Sequence, residues 1–148
     1  SDVYKRQHIC YGYGIKANTD WKQTLGSEWR QYEAIFPKLQ QSAIDMVSLE
    51  CHNSRVPMEL IELIRGKKVM VGAIDVATHQ IETPEQVAET LHKALQFVDA
   101  ENLYPCTNCG MAPLPRHVAQ GKLSALAQGA KLVRNDYLAT HQLDDLII

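Results

Sequence analysis

Hydrophobic and polar positions divide this chain into two alternating kinds of segment. Four stretches rich in apolar, β-branched or aromatic residues are predicted as strands, at 8–12, 46–50, 68–75 and 103–109. Each is followed by a segment whose apolar residues recur with helical spacing. Strands that alternate with helices in this way predict an α/β fold with a parallel sheet and right-handed crossovers.

The clearest helix signal begins at Thr83. Pro84 follows it, and Gln86 three positions on completes a capping-box pattern. The apolar face of the predicted helix consists of Val87, Leu91, Ala94, Leu95 and Val98. This pattern predicts a helix that packs one side against the sheet.

Three further helical segments are predicted with less regular boundaries. One spans 57–65 and stops at a glycine, and another spans 115–134 after a proline. A longer stretch at 21–41 contains Pro37, which we expect to end or kink the helix because proline lacks an amide proton. No linker or composition shift divides the chain, so we predict one domain unit.

Composition places the chain among ordinary globular sequences. It has 148 residues, 45% of them hydrophobic, and a net charge of -2 with dispersed Lys and Arg, which argues against nucleic-acid binding. Its apolar runs are far shorter than the roughly 20 residues of a membrane helix. We expect a cytoplasmic protein with no membrane or nucleic-acid partner. Residues 1–7 read like a translated adaptor scar, so they are excluded from the fold prediction.

Candidate metal ligands fall at the predicted strand ends. His8 and Cys10 are two positions apart and therefore point to the same face of a strand. Glu50 ends an apolar strand, where a carboxylate is costly unless it is solvated, paired or bound to a cation, and Cys109 precedes a glycine turn. Together these four residues predict a mixed zinc site of the kind that can open to a substrate.

Other interpretations of these residues stay open. His8 and Cys10 alone are compatible with a partly buried histidine beside a small thiol, and Glu50 with a solvated acid. The C-x-x-C pair Cys106 and Cys109 also suggests a thiol oxidoreductase, although the glycine and prolines that follow postpone the helix that would activate a thiol.

Two other kinds of site are less well supported by the sequence. A structural zinc knot would add Cys51 and His52 to the C-x-x-C pair, but neighbouring strand residues face opposite ways. A nucleotide site is disfavoured because Gly12 and Gly14 form only G-x-G, without the third glycine of the dinucleotide motif.

Several motifs together resemble the cobalamin-independent methionine synthases. These are H-I-C-Y at 8–11, S-L-E-C-H-N-S-R-V-P-M-E-L-I at 48–61, D-V at 75–76 and P-C-T-N-C-G-M at 105–111. The resemblance runs over 8–134. It implies a TIM-type (β/α)8 barrel, a zinc ion held by His8, Cys10, Glu50 and Cys109 with Cys106 outside the set, and homocysteine bound as a thiolate for methylation. The methyl donor that it implies is 5-methyltetrahydrofolate.

The chain departs from that family in two ways. Asp75 belongs by resemblance to a D-I-H stretch whose histidine moves protons, but this chain reads D-V-A, so Asp75 and His79 become the candidate catalytic residues. Such a barrel needs eight strands and about 250 residues, so the chain is predicted to be its C-terminal half, with 135–148 unmatched. A corrinoid or other methyl donor, or a non-catalytic structural zinc domain, remains the alternative.

Overall fold

A parallel sheet forms the centre of the protein. The computed structural model describes residues 4–144. Its four strands are β1 (Arg6–Ile9), β2 (Met46–Glu50), β3 (Lys68–Gly72) and β4 (Leu103–Cys106). They lie in the order β1-β2-β3-β4, and every neighbouring pair is parallel. The predicted α/β class with a parallel sheet is therefore confirmed.

Three strands end earlier than the hydrophobic pattern predicts. β1 ends at Ile9 rather than at Gly12, and it begins at Arg6, within the segment that is excluded from the fold prediction. β3 ends at Gly72 although the apolar run continues, and β4 ends at Cys106. At this end the ladder gives way to loop contacts, since the amides of Cys51 and His52 both donate to the Gly72 carbonyl at 3.1 and 2.8 Å. The residues beyond the strands therefore form a rim of loops at the carboxyl ends, where α/β proteins place their chemistry.

Helices connect the strands. The α-helices are α1 (Lys16–Gln23), α2 (Phe36–Gln40), α3 (Pro84–Ala94) and α4 (Arg116–Asp144), and 3₁₀ helices span Gln31–Ala34, Met58–Ile64 and Ala100–Asn102. The start of α3 is as predicted, because Thr83 and Gln86 form both hydrogen bonds of the capping box. Among the described residues, no helix is long and apolar enough to cross a membrane.

Three helix predictions differ from the structure. The stretch 21–41 is not one helix, because Gly26 has a φ of 78° and breaks it. Pro37 lies in the first turn of α2, where its missing amide costs nothing, so it begins a helix rather than ending one. The segment predicted at 57–65 is a 3₁₀ helix, and α4 runs past Arg134 without a break.

The sheet presents two different faces. Val47, Leu49, Val69 and Val71 alternate along β2 and β3, are buried, and pack against the helices in the hydrophobic core. The opposite face carries a row formed by His8, Ser48, Met70 and Tyr104, which are register partners on adjacent strands. Burial of one face against helices thus leaves the other face for the polar side chains of a site.

A buried ion pair fastens α4 to the loop after β3. Lys122 is 0% exposed, and its ammonium group lies 2.9 and 3.1 Å from the two carboxylate oxygens of Glu82. The same carboxylate accepts a hydrogen bond from the amide of Asp75 at 2.9 Å. Both buried charges are therefore satisfied, and the pair fixes the rim loop that carries Asp75.

Replacement of one partner of this pair should destabilise the fold. Lys122→Met leaves the Glu82 carboxylate buried and without its cation, so we expect a loss of about 3–5 kcal/mol in the free energy of unfolding, measured by urea denaturation. Lys131→Met, at an exposed position of the same helix, is the matched control and should change stability by less than about 0.5 kcal/mol. Equal small losses in both variants would contradict a structural role for the pair.

Candidate metal centre

Three potential metal ligands converge at the rim. One ligand atom each from His8, Cys10 and Cys109 lies within 4.8 Å of the other two, and the two sulfur atoms are 4.0 Å apart. Two thiolates bound tetrahedrally to zinc at about 2.3 Å would be separated by about 3.8 Å. The nitrogen and sulfur donors present therefore fit a zinc ion in both spacing and chemistry.

The converging residues come from opposite edges of the sheet. Cys10 follows β1 and Cys109 follows β4, and these strands lie at opposite edges of the four-stranded sheet. Three strand spacings of about 4.8 Å would separate flat edges by roughly 14 Å. The 4.0 Å between the two sulfur atoms therefore depends on sheet curvature and on the loop after β4 folding back over the strand ends.

Asn108 holds that loop in place. Its side chain is buried, with an exposed fraction of 1%. It accepts a hydrogen bond from the Cys51 amide at 3.1 Å and donates to the His52 carbonyl at 2.8 Å, which ties the β4 loop to the end of β2. A Cβ atom on Gly72 would lie 2.9 Å from the Asn108 Cα and 2.6 Å from the Leu49 carbonyl, so only glycine permits this approach.

Ser48 contacts one of the three donors and one cysteine outside the group. Its hydroxyl lies 3.1 Å from Nδ1 of His8, which leaves Nε2 of the imidazole to face a metal. The same hydroxyl lies 3.9 Å from the Cys106 sulfur, and Cys106 is not a member of the three-donor group. Burial raises the pKa of the Cys106 thiol to about 11. Cys106 is thus a half-buried neighbour of the three-donor group.

Glu50 lies beside the three-donor group but is not one of its members. It is 4% exposed, and its carboxylate accepts hydrogen bonds from the Tyr11 amide at 3.0 Å and the Tyr13 hydroxyl at 2.6 Å. Burial raises the pKa of the Tyr13 hydroxyl, and the contact with Glu50 adds to the rise. Burial also raises the pKa of the Cys10 thiol, and the negative charges of Cys109 and Glu50 contribute.

The two predicted catalytic residues occupy the loop after β3. Asp75 is half-buried, and its carboxylate accepts from the Ala77 amide at 2.8 Å and from the Asn53 side chain at 3.3 Å. After burial and Glu50, the negative charge of Asp75 also contributes to the raised pKa of Tyr13. The side chain of His79 is exposed and lies outside the three-donor group.

The alternative sites are not assembled in the described part of the chain. His52 directs Nδ1 at the Thr90 hydroxyl of α3, at 3.1 Å, and neither it nor Cys51 joins the three-donor group. The C-x-x-C pair does not begin a helix, since α4 starts only at Arg116. Both observations agree with the sequence arguments against a structural knot and against a thiol oxidoreductase.

Sequence reasoning missed Tyr13, Ser48 and Asn108. Asn108 had one visible signal, because an asparagine between two cysteines before a glycine is typical of a tight loop that bonds its own backbone. Tyr13 and Ser48 had none. Their partners lie 37 and 40 positions away in the chain, so only the folded sheet brings them together.

Comparison with known proteins identifies the family. The model of a family described as "Cobalamin-independent synthase, Catalytic domain" matches residues 16–132, most of the chain. The chain belongs to this family. The matched segment contains Glu50 and Cys109 and begins after His8 and Cys10. The family predicted from the motifs is thereby confirmed.

The related proteins are named methionine synthases. The methionine synthases of Sulfurisphaera tokodaii and Saccharolobus islandicus are each 30% identical in sequence to this chain. The alignments cover 87% of this chain and 33% and 34% of the two relatives. A solved structure of a B12-independent methionine synthase from Shewanella sp. W3-18-1, in complex with selenomethionine, is 72% identical. It matches 94% of this chain and 41% of its own chain with a TM-score of 0.89. The predicted TIM-barrel type of α/β fold is confirmed by this match.

The chain spans between about a third and two fifths of the length of these relatives.

Substitution of Gly72 tests the support under the centre. We expect Gly72→Ala to displace Asn108, to lower the free energy of unfolding by about 1–3 kcal/mol in urea denaturation, and to weaken zinc binding. Gly110→Ala is the matched control in the same loop region, because a Cβ atom there meets no atom within 4 Å. If Gly72→Ala behaved like the control, the Asn108 contact would not support the site.

Proposed function

We propose that this chain carries the metal centre of a methyltransferase of the methionine synthase type. In this proposal His8, Cys10, Glu50 and Cys109 hold a zinc ion at the carboxyl ends of the strands. The observation that carries it is the convergence of His8, Cys10 and Cys109 from opposite sheet edges, together with membership of the cobalamin-independent synthase family. Glu50 is added as the fourth ligand because its motif resembles the motif that carries a zinc ligand in that family.

The donor set suits activation of a thiol. When bound, the zinc ion would supply a Lewis acid that allows a substrate thiol to lose its proton near neutral pH. Cys10 and Cys109 as thiolates and Glu50 as a carboxylate leave the centre with about one net negative charge, which keeps a coordinated sulfur electron-rich. Ser48 orients the His8 imidazole through the contact between its hydroxyl and Nδ1.

The proposed substrates are homocysteine and 5-methyltetrahydrofolate. The homocysteine sulfur would attack the methyl carbon, the carbon–nitrogen bond of the folate would break, and the released nitrogen would take a proton. Asp75 and His79 are the proposed residues for proton handling, since both lie on the loop after β3. Selenomethionine, bound in the Shewanella relative, is the selenium analogue of the methionine product. We expect such a biosynthetic enzyme to work in the cytoplasm.

We further propose that residues 8–134 form the C-terminal half of the barrel, with 1–7 an adaptor scar and 135–148 a C-terminal tail. In the described residues β1 and β4 each pair on one side only, and a closed barrel would need four more strands between them. The short span of the chain within its relatives agrees with this division. The isolated half should therefore have little turnover, because the rest of the substrate site lies in the other half.

Zinc content is the first test of the centre. Protein purified without added metal should contain about one zinc per chain by mass spectrometry, which Cys109→Ser should lose and Cys106→Ser should keep. The two variants remove the same atom at positions three residues apart, so each controls for the other. Equal loss in both would favour a structural zinc domain built on the C-x-x-C pair, and a parent without zinc would overturn the proposed centre.

One observation supports an alternative methyl donor. Ala77 stands where the family motif D-I-H has its histidine, so the step that protonates a folate leaving group lacks that residue. A corrinoid donor, whose leaving group needs no proton, is therefore the alternative. We expect methyltetrahydrofolate to support turnover once the upstream half is restored. Turnover with a methylated corrinoid and none with the folate, in an assay of methionine formation, would replace the folate proposal.

A further inference from the structure

Both oxygens of the buried Glu50 carboxylate have donors from one loop. Oε1 accepts from the Tyr11 amide at 3.0 Å, and Oε2 accepts from the Tyr13 hydroxyl at 2.6 Å. A carboxylate that is only 4% exposed is costly to hold as an anion unless donors replace its water. These two groups therefore make up a receptor for the carboxylate, which we call the Glu50 dock.

The dock is held in shape independently of Glu50. Gly12 and Gly14, on either side of Tyr13, have φ values of 78° and 81°, which turn the loop at both points. Lys22 of α1 donates a hydrogen bond to the Gly12 carbonyl and lies 4.8 Å from the centre of the Tyr13 ring. The hydroxyl of Tyr13 is thus positioned by the loop and by α1.

The Glu50 dock lies beside the three-donor group. Tyr11 follows Cys10 directly, so the docked carboxylate lies next to the three-donor group without belonging to it. Glu50 is also the weakest donor of the proposed set for zinc, since the others are two thiolates and an imidazole. It is therefore the residue that can leave the metal at the lowest cost, provided that its charge finds donors elsewhere.

We propose that Tyr13 and the Tyr11 amide receive the Glu50 carboxylate when it leaves the zinc ion, so that a substrate thiol takes its coordination position. This inference rests on the proposed zinc function and adds Tyr13 to it as a positioning residue. In the exchange the substrate S–H group would lose its proton to solvent, and its sulfur would take the coordination position that the carboxylate oxygen gives up. The Tyr13 hydroxyl and the Tyr11 amide would donate hydrogen bonds to the displaced carboxylate.

An orienting role for Tyr13 makes the opposite prediction. If its hydroxyl held Glu50 on the metal, then removal of the hydroxyl would weaken zinc binding and leave the affinity for a thiol unchanged. In the dock, by contrast, the Tyr13 hydrogen bond competes with the metal for Glu50. Its removal should leave zinc binding unchanged or tighter and should weaken thiol binding. The signs of the two effects therefore separate the roles.

The experiment compares Tyr13→Phe with Tyr32→Phe in the 148-residue chain. Tyr32→Phe is the matched control, because it makes the same change at a buried tyrosine whose hydroxyl has no hydrogen-bond partner among the described residues. Three quantities are measured: unfolding in urea with a chelator present, zinc affinity by competition with a chelating dye, and L-homocysteine affinity at the cobalt-substituted centre from its sulfur-to-cobalt absorption band.

The dock predicts a specific pattern. Tyr13→Phe should lower homocysteine affinity by roughly tenfold or more, the usual effect of a lost hydrogen bond to a charged group, without lowering zinc affinity. Tyr32→Phe should change neither affinity. Weaker zinc binding with unchanged homocysteine affinity, or no change in either quantity, would overturn the dock.

The metal-free measurement separates failure of the dock from failure of the proposed function. Without metal, Tyr13→Phe should destabilise the protein more than Tyr32→Phe, because only Tyr13→Phe removes the donor to Oε2 of a buried carboxylate. Equal stability of the two variants would overturn the dock even if the parent binds zinc. A parent that binds no zinc, with this stability difference present, would instead overturn the proposed zinc function and the ligand exchange that rests on it.

Discussion

The contact of Asn108 with Gly72 determines the geometry of the whole rim. It brings the loop after β4 over the end of β3 and joins it to the end of β2 through two hydrogen bonds of one side-chain amide. Without that crossing, Cys109 would remain on the far side of the sheet from His8 and Cys10. A single buried polar side chain, hydrogen-bonded through both its amide oxygen and its amide nitrogen, therefore links residues that come from opposite edges of the sheet.

The two buried carboxylates, Glu50 and Glu82, have different kinds of hydrogen-bond partner. Glu82 is paired with the cationic Lys122, which gives it a strong and fixed partner in α4. Glu50 has only neutral donors, an amide and a hydroxyl. Neutral donors satisfy the carboxylate but compete weakly with a divalent cation, whereas an ammonium group would hold it permanently. The absence of a cation among the hydrogen-bond donors to Glu50 in the described structure is what would suit it to the proposed ligand exchange.

The site could be predicted from the sequence only in part. His8 and Cys10 are close in the chain, so strand periodicity alone places them on one face. Glu50 and Cys109 were recognised as strand-end residues and by resemblance to family motifs. Tyr13, Ser48 and Asn108 act through contacts 37 to 58 positions apart, and no local pattern predicts such contacts. Pro37 shows the same limit for the fold, because its effect depends on which turn of a helix it enters.

The sequence by itself determined the parallel α/β class, the position of β2, the start of α3 and the family, since these follow from periodicity, capping residues and contiguous motifs. Tertiary structure decided where β3 and β4 end, because loop contacts across the rim replace the ladder after Gly72 and Cys106. It also decided that His8, Cys10 and Cys109 converge and that Glu50 accepts a hydrogen bond from the Tyr13 hydroxyl. Distances between side chains on separate strands depend on sheet curvature and loop crossing, and these are properties of the packed fold rather than of any one segment.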